Sequence, residues 1–134
     1  MNQKDIRWKQ RYQNFKKSFD LLDTYTKQEE YTEIERAGLI QFFKMSFELS
    51  WKVMKDYLES QGFIINSPRD TIKQAFQANI ISNGEVWIEA LADRNLTVHT
   101  YDETTAEQIL EKIKKNYYPL LKRLDEYLTA ELKK

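Results

Sequence analysis

The chain has 134 residues, 41% of them hydrophobic and 31% charged, and its 21 Lys and Arg balance its 21 Asp and Glu. That length fits a single domain over residues 1–134 with one core, and the composition is that of a folded, soluble chain. Zero net charge leaves no global field that would draw the chain to nucleic acid or membrane, and the absence of cysteine excludes disulfides, thiolate catalysis and cysteine-bound zinc.

Three glycines and two prolines fall mostly between long periodic segments, which favours helices joined by short loops. Trp8, Tyr12, Phe15, Phe19 and Leu22 recur at helical spacing and form one stripe. Residues 1–30 lack the apolar run of a secretory signal, and no stretch approaches the ~18 apolar residues of a membrane span. The reading is therefore a cytoplasmic protein without membrane contact.

A second helix is expected to start near Thr32, where Glu33 and Glu35 suit the positive end of a helix dipole. Its stripe is Ile40, Phe43, Phe47, Trp51, Met54 and Leu58, widened by Phe42 and Leu49, and Gly62 marks its end near Gln61. Ser67-Pro68-Arg69-Asp70 reads as a capped start for a short third helix over residues 69–78. After the turn Ser82-Asn83-Gly84, a fourth helix carries Val86, Trp87, Ala90, Leu91 and Val98 towards Thr100. Thr104 and Glu107 fit a capping box for a last helix with the stripe Ile109, Ile113, Leu120, Leu124 and Leu128, interrupted by Pro119, which should kink it or end its regular part. The fold class read from this order is all-α: an up-and-down four-helix bundle with an additional short helix.

Several chemistries lack their residues. Nucleotidyl transfer needs a Gly-Ser turn for phosphate and an Asp-x-Asp pair for metal ions, whereas the glycines here precede Leu39, Phe63 and Glu85 and no two aspartates are spaced by one residue. Walker-type and dinucleotide loops need glycine clusters that are absent. A bundle di-iron site needs Glu-x-x-His, but Leu96 stands three residues before the single histidine. No metal and no cofactor are expected.

What remains is Arg94-Asn95-Leu96-Thr97-Val98-His99-Thr100-Tyr101. Arginine pairs with phosphate through two parallel hydrogen bonds, and histidine moves a proton near neutral pH. RNA cleavage by an internal 2′-hydroxyl requires those two roles and no metal. On a continuous helix Arg94 and Tyr101 lie almost in line, while His99 is rotated by roughly 140° from Arg94. Convergence therefore needs either a loosened helix across the β-branched Thr97, Val98 and Thr100 or completion by a second subunit. On spacing alone, the Arg and His serve equally to complement a helix C-terminus, and Tyr101 serves as packing.

The Arg-x4-His-x-Tyr string, preceded by the helix with Trp87 and followed by Asp102-Glu103, resembles the signature of HEPN proteins encoded beside minimal nucleotidyltransferases. This branch is known as the nucleotidyltransferase substrate-binding proteins. Phe47-Glu48-Leu49-Ser50-Trp51-Lys52 and the Ser67-Pro68-Arg69 start resemble the family's second and third helices, so that the likeness covers roughly residues 8–128. It implies a homodimer or higher homo-oligomer that pairs with a separate minimal nucleotidyltransferase subunit and acts on RNA or nucleotide. In the toxin–antitoxin reading Arg94 and His99 form a metal-independent ribonuclease site across the dimer, Asn95 assists, and Tyr101 accepts AMP from the partner. In the older reading the chain binds the partner's substrate without chemistry of its own.

Two further features are weighed. Lys4, Arg7, Lys9, Arg11, Lys16 and Lys17 make the first helix basic at its start, which reads as a solvated face ahead of an RNA or acidic-partner contact. Glu48 and Lys52 have the spacing of a surface pair, and the resemblance makes them, with Trp51, candidates for the groove.

Overall fold

The computed structural model describes residues 2–96 and 102–134. In chain order it contains α1 (Gln3–Tyr25), α2 (Glu33–Ser60), α3 (Pro68–Gln77), α4 (Gly84–Leu96), α5 (Glu103–Lys112), a π turn (Ile113–Tyr117) and α6 (Tyr118–Leu132). No strand occurs among the described residues. With α5, the π turn and α6 running on without a loop, this is an all-α bundle of four long helical rods and the short α3.

The ends of the helices follow their local chemistry. Asn2 caps α1 by accepting the Asp5 N–H at 2.8 Å. Thr32 and Glu35 form a reciprocal box at the start of α2, the Thr32 hydroxyl accepting from the Glu35 amide at 3.1 Å and the Glu35 carboxylate from the Thr32 amide at 2.9 Å. Ser67 caps α3 and Pro68 occupies its first turn, where a missing N–H is tolerated. Gly62, at φ 98°, lets the chain leave α2 while the Phe63 N–H bonds back to the Leu58 carbonyl at 3.1 Å.

Two expectations near the last rod are corrected. The cap of α5 is Asp102, not Thr104: its carboxylate takes the Thr105 N–H at 3.2 Å and the Thr105 hydroxyl at 2.9 Å. A carboxylate answers both the open amides and the positive helix end, which a threonine hydroxyl does only in part. Glu107, expected to close a box, instead lies 3.8 Å from the buried Arg36 of α2, which also faces Glu103 at 3.5 Å. The interruption expected at Pro119 is placed one turn earlier, as the π turn in which the Tyr118 N–H reaches the Ile113 carbonyl. Pro119 then falls in the first turn of α6.

The basic stretch of α1 is only partly a solvated face. Lys4, Arg7 and Lys17 are exposed. Arg11 pairs with the buried Asp56 at 2.9 Å, and Lys16 reaches Asp20 and Asp125, each at 3.2 Å. The pairs with Asp56 and Asp125 tie α1 to α2 and α6, because a buried carboxylate is tolerated only when it is paired.

The core positions the site through an aromatic chain. Phe43 packs on Phe47 at 5.9 Å between ring centroids, Phe47 on Trp87 at 5.7 Å, and Phe43 on Tyr117 at 5.4 Å. All four rings are essentially buried. They join α2, α4 and the π turn, and each buried side chain of this size contributes about 1.5–3 kcal/mol relative to exposure. Trp87 and Ala90 thus press one face of α4 onto the core and leave its last turn at the edge of α2.

Candidate functional site

Arg94 lies in the last turn of α4, where a cation complements the carbonyl end of the helix. Its Nη1 donates to Oε2 of Glu48, in the middle of α2, at 2.5 Å, and its Nε and Nη2 donate to Oδ1 of Asn95 at 3.2 and 2.9 Å. Glu48 Oε1 lies 3.8 Å from Nζ of Lys52, one turn further along α2. The ammonium of Lys52 in turn sits 6.0 Å from the ring centroid of Trp51. The structure thus gathers Arg94, Asn95, Glu48, Trp51 and Lys52, so the Glu48–Lys52 spacing is more than an isolated surface pair.

The guanidinium is oriented, not merely present. With its side chain 19% exposed and three donors engaged by two acceptors, its plane is set by the carboxylate on one side and the amide on the other. Two cations, Arg94 and Lys52, flank the carboxylate of Glu48. The indole N–H of Trp51 is buried and has no hydrogen-bond partner among the described residues. His99 and Tyr101 lie outside the described residues, as do Thr97, Val98 and Thr100. Their relation to Arg94 stays an expectation.

A second polar group, on the neighbouring face of α4, was not singled out in the sequence. The buried Tyr117 hydroxyl donates to Asp93 Oδ2 and lies 2.9 Å from Glu89 Oε1. Lys112 Nζ approaches the same two carboxylates at 3.3 and 3.6 Å. Burial first, and then the two carboxylates, push the Tyr117 phenol far above its ordinary range and keep it protonated. A signal for this group existed: Glu89 and Asp93 stand four apart on one helix, and such a like-charge pair calls for a donor or cation opposite it.

A cavity of about 700 Å³ opens elsewhere, between α3 and α4, lined by Arg69, Ile72, Lys73, Phe76 and Glu85 among others. Neither Arg94 and Asn95 nor Glu48, Trp51 and Lys52 border it. Among the described residues, no cluster of three or more histidine, aspartate or glutamate side chains could hold a metal ion, and no helix is long and apolar enough to cross a membrane.

Comparison with known proteins now bears on this geometry. Residues 10–130 match the model of a family described as nucleotidyltransferase substrate binding protein like. The chain belongs to that family. A curated relative, a probable ribonuclease HepT of Haemophilus influenzae, is 32% identical over 84 residues, which cover 58% of this chain and 56% of the relative. The match thus spans little more than half the length of that protein. A crystal structure of a protein from Thermus thermophilus shares the fold with a TM-score of 0.75 at 29% identity, covering 90% of this chain and 99% of the other. Family membership agrees with the resemblance drawn from the Arg94 to Tyr101 string, and the matched span contains all of the site residues named above.

Proposed function

We propose that this member of the substrate-binding family is the HEPN-type subunit of a two-component nucleotidyltransferase system and acts as a metal-independent ribonuclease. The observation that supports this most is the ordered guanidinium of Arg94, held by Glu48 and Asn95 beside the ammonium of Lys52. A planar, pre-aligned cation suits a phosphodiester, because orienting the donors in advance removes that cost from the transition state. In this reading the chain works in the cytoplasm as a homodimer or higher homo-oligomer, and two copies complete the groove.

Cleavage would proceed by attack of the ribose 2′-oxygen on the adjacent phosphorus. The P–O2′ bond forms and the P–O5′ bond breaks, which leaves a 2′,3′-cyclic phosphate and a 5′-hydroxyl. Arg94 neutralises the charge that develops on the phosphoryl oxygens, with Asn95 fixing its plane. His99 carries the proton exchanged between the 2′-hydroxyl and the departing 5′-oxygen. The separate minimal nucleotidyltransferase subunit silences the site at Tyr101. Its phenolic oxygen attacks the α-phosphorus of ATP, an O–P bond forms, pyrophosphate leaves and the phenol proton is lost, so that AMP fills the groove.

The second reading, a non-catalytic subunit that binds the partner's nucleotide or other substrate, draws on the family's description. Arg94 and Lys52 would then grip a phosphate without turnover. Intact mass after co-expression with a minimal nucleotidyltransferase separates the two. One added AMP that maps to Tyr101 and abolishes RNA cleavage is the expected result. AMP on another residue would remove Tyr101 from its role, and a purified chain that binds nucleotide yet leaves RNA intact would favour the binding subunit.

A further inference from the structure

We propose that Asp93 and Tyr117 are positioning residues, which fix the rotation of the last turn of α4 and thereby aim Arg94. Asp93 and Arg94 are consecutive, so on a helix their side chains leave about 100° apart. Arg94 is held towards α2 by Glu48, while Asp93 is held towards the π turn by the Tyr117 hydroxyl and by Lys112 at 3.3 Å. One helical turn is therefore gripped from two directions by two different elements. The Arg94 grip acts through a long side chain, whereas the short Asp93 side chain ties the backbone of that turn more directly to its partners. The Asp93 grip is the more buried of the two, with Asp93 at 8% and Tyr117 at 1% exposure.

The π turn gives this contact its direction. A π turn inserts one residue into the helical register, and such turns are often found at functional sites. Here the wide turn ends on Tyr117, whose ring stacks on Phe43 of the core with an interplanar angle of 22°. Stacking fixes the ring, and the ring fixes where its hydroxyl points. The face of α4 that receives it carries Glu89 and Asp93, two carboxylates one turn apart that repel each other unless a donor and a cation stand opposite. Tyr117 and Lys112 supply both. The contact is thus a specific polar latch between the π turn, the end of α5 and α4.

The catalytic consequence of this latch rests on the ribonuclease reading, but its effect on Arg94 does not. The test is the guanidinium Nε–H signal of Arg94 in a ¹⁵N-labelled chain, with exchange against solvent measured for the wild type and for Tyr117→Phe, which keeps the ring and loses only the donor. Exchange in Tyr117→Phe should rise about tenfold, the factor that accompanies loss of one hydrogen bond to a charged group. Tyr12→Phe is the control, because it removes a buried phenol bonded to Asp125 at 2.8 Å on a different part of the bundle. It should leave the Arg94 signal unchanged. Equal exchange in wild type and Tyr117→Phe, or an equal rise in both variants, would overturn the proposal. Should Tyr117→Phe fail to fold, Lys112→Met on the solvent rim of the latch decides in the same way. In RNA cleavage the latch variant should lose kcat and retain KM. A wild type that does not cleave at all refutes the ribonuclease reading and leaves the exchange result standing.

Discussion

Replacing Glu48 by Gln keeps the side chain's size and removes the charge that faces Arg94 and, at 3.8 Å, Lys52. At about 4 Å between charge centres and an effective dielectric near 20, two unit charges attract by ~4 kcal/mol, whereas fully exposed pairs measure only ~0.2–1 kcal/mol. With side chains 19% and 37% exposed and an N–O distance of 2.5 Å, this pair belongs between those limits. A coupling of about 1–2 kcal/mol is expected, in the range of a charge-assisted hydrogen bond. The assay is a double-mutant cycle by urea unfolding with Glu48→Gln, Arg94→Gln and the combination, which cancels effects of each residue on other neighbours. A coupling below about 0.3 kcal/mol, within the usual additivity error, would show that the pair does not form in solution and would remove the structural basis for an aimed guanidinium.

Other consequences follow from the core, the caps and the buried phenols. Phe47→Ala empties the centre of the aromatic chain between Phe43 and Trp87 and should destabilise the fold by about 3–5 kcal/mol in urea unfolding. Ser67→Ala leaves the Asp70 amide of the ten-residue α3 without its acceptor and should cost about 1 kcal/mol, with Ser67→Asp restoring most of it. Burial and a hydrogen bond to Asp23 raise the Tyr118 phenol from 10.0 to about 12. A raised pKa means that this group's contribution is complete below pH 10 and is lost as pH climbs through 12. Tyr118→Phe should therefore lower stability at neutral pH and make its decline between pH 10 and 12 shallower, as followed by urea unfolding monitored by circular dichroism alongside tyrosinate absorbance.

The helices were legible in the sequence because apolar spacing and punctuation agree. Trp8 to Leu22 in α1 and Ile40 to Leu58 in α2 carry regular stripes, and Thr32, Gly62 and Ser67-Pro68 mark their limits. Local rules failed where two of them competed. Asp102 and Thr104 both suit a helix start, and it is the bonds of Asp102 to Thr105, with Glu107 turned to Arg36 across the bundle, that show the box does not form. The π turn was foreshadowed by Pro119 but not located, since nothing in Ile113 to Tyr117 departs from ordinary helical composition.

The site was legible in a different measure. Arg94 and Asn95 stood out by residue type, and Glu48, Trp51 and Lys52 by resemblance alone, because residues 46 positions apart meet only through packing. Tyr117 stands between Ile113 and Leu120 at helical spacing, so its place in the sequence reads as packing. Its polar function depends on Glu89 and Asp93 across the bundle, and pairing across elements is invisible to a reading that follows one helix at a time.

Metal-independent cleavage of RNA by Arg94 and His99 is the step proposed for this chain. Its most direct test is cleavage of single-stranded RNA by the purified oligomer in excess chelator, with product ends identified by mass. The wild type should give 2′,3′-cyclic phosphate and 5′-hydroxyl ends, and both Arg94→Ala and His99→Ala should lose cleavage. Intact RNA with the wild type, or undiminished cleavage with either variant, would contradict it.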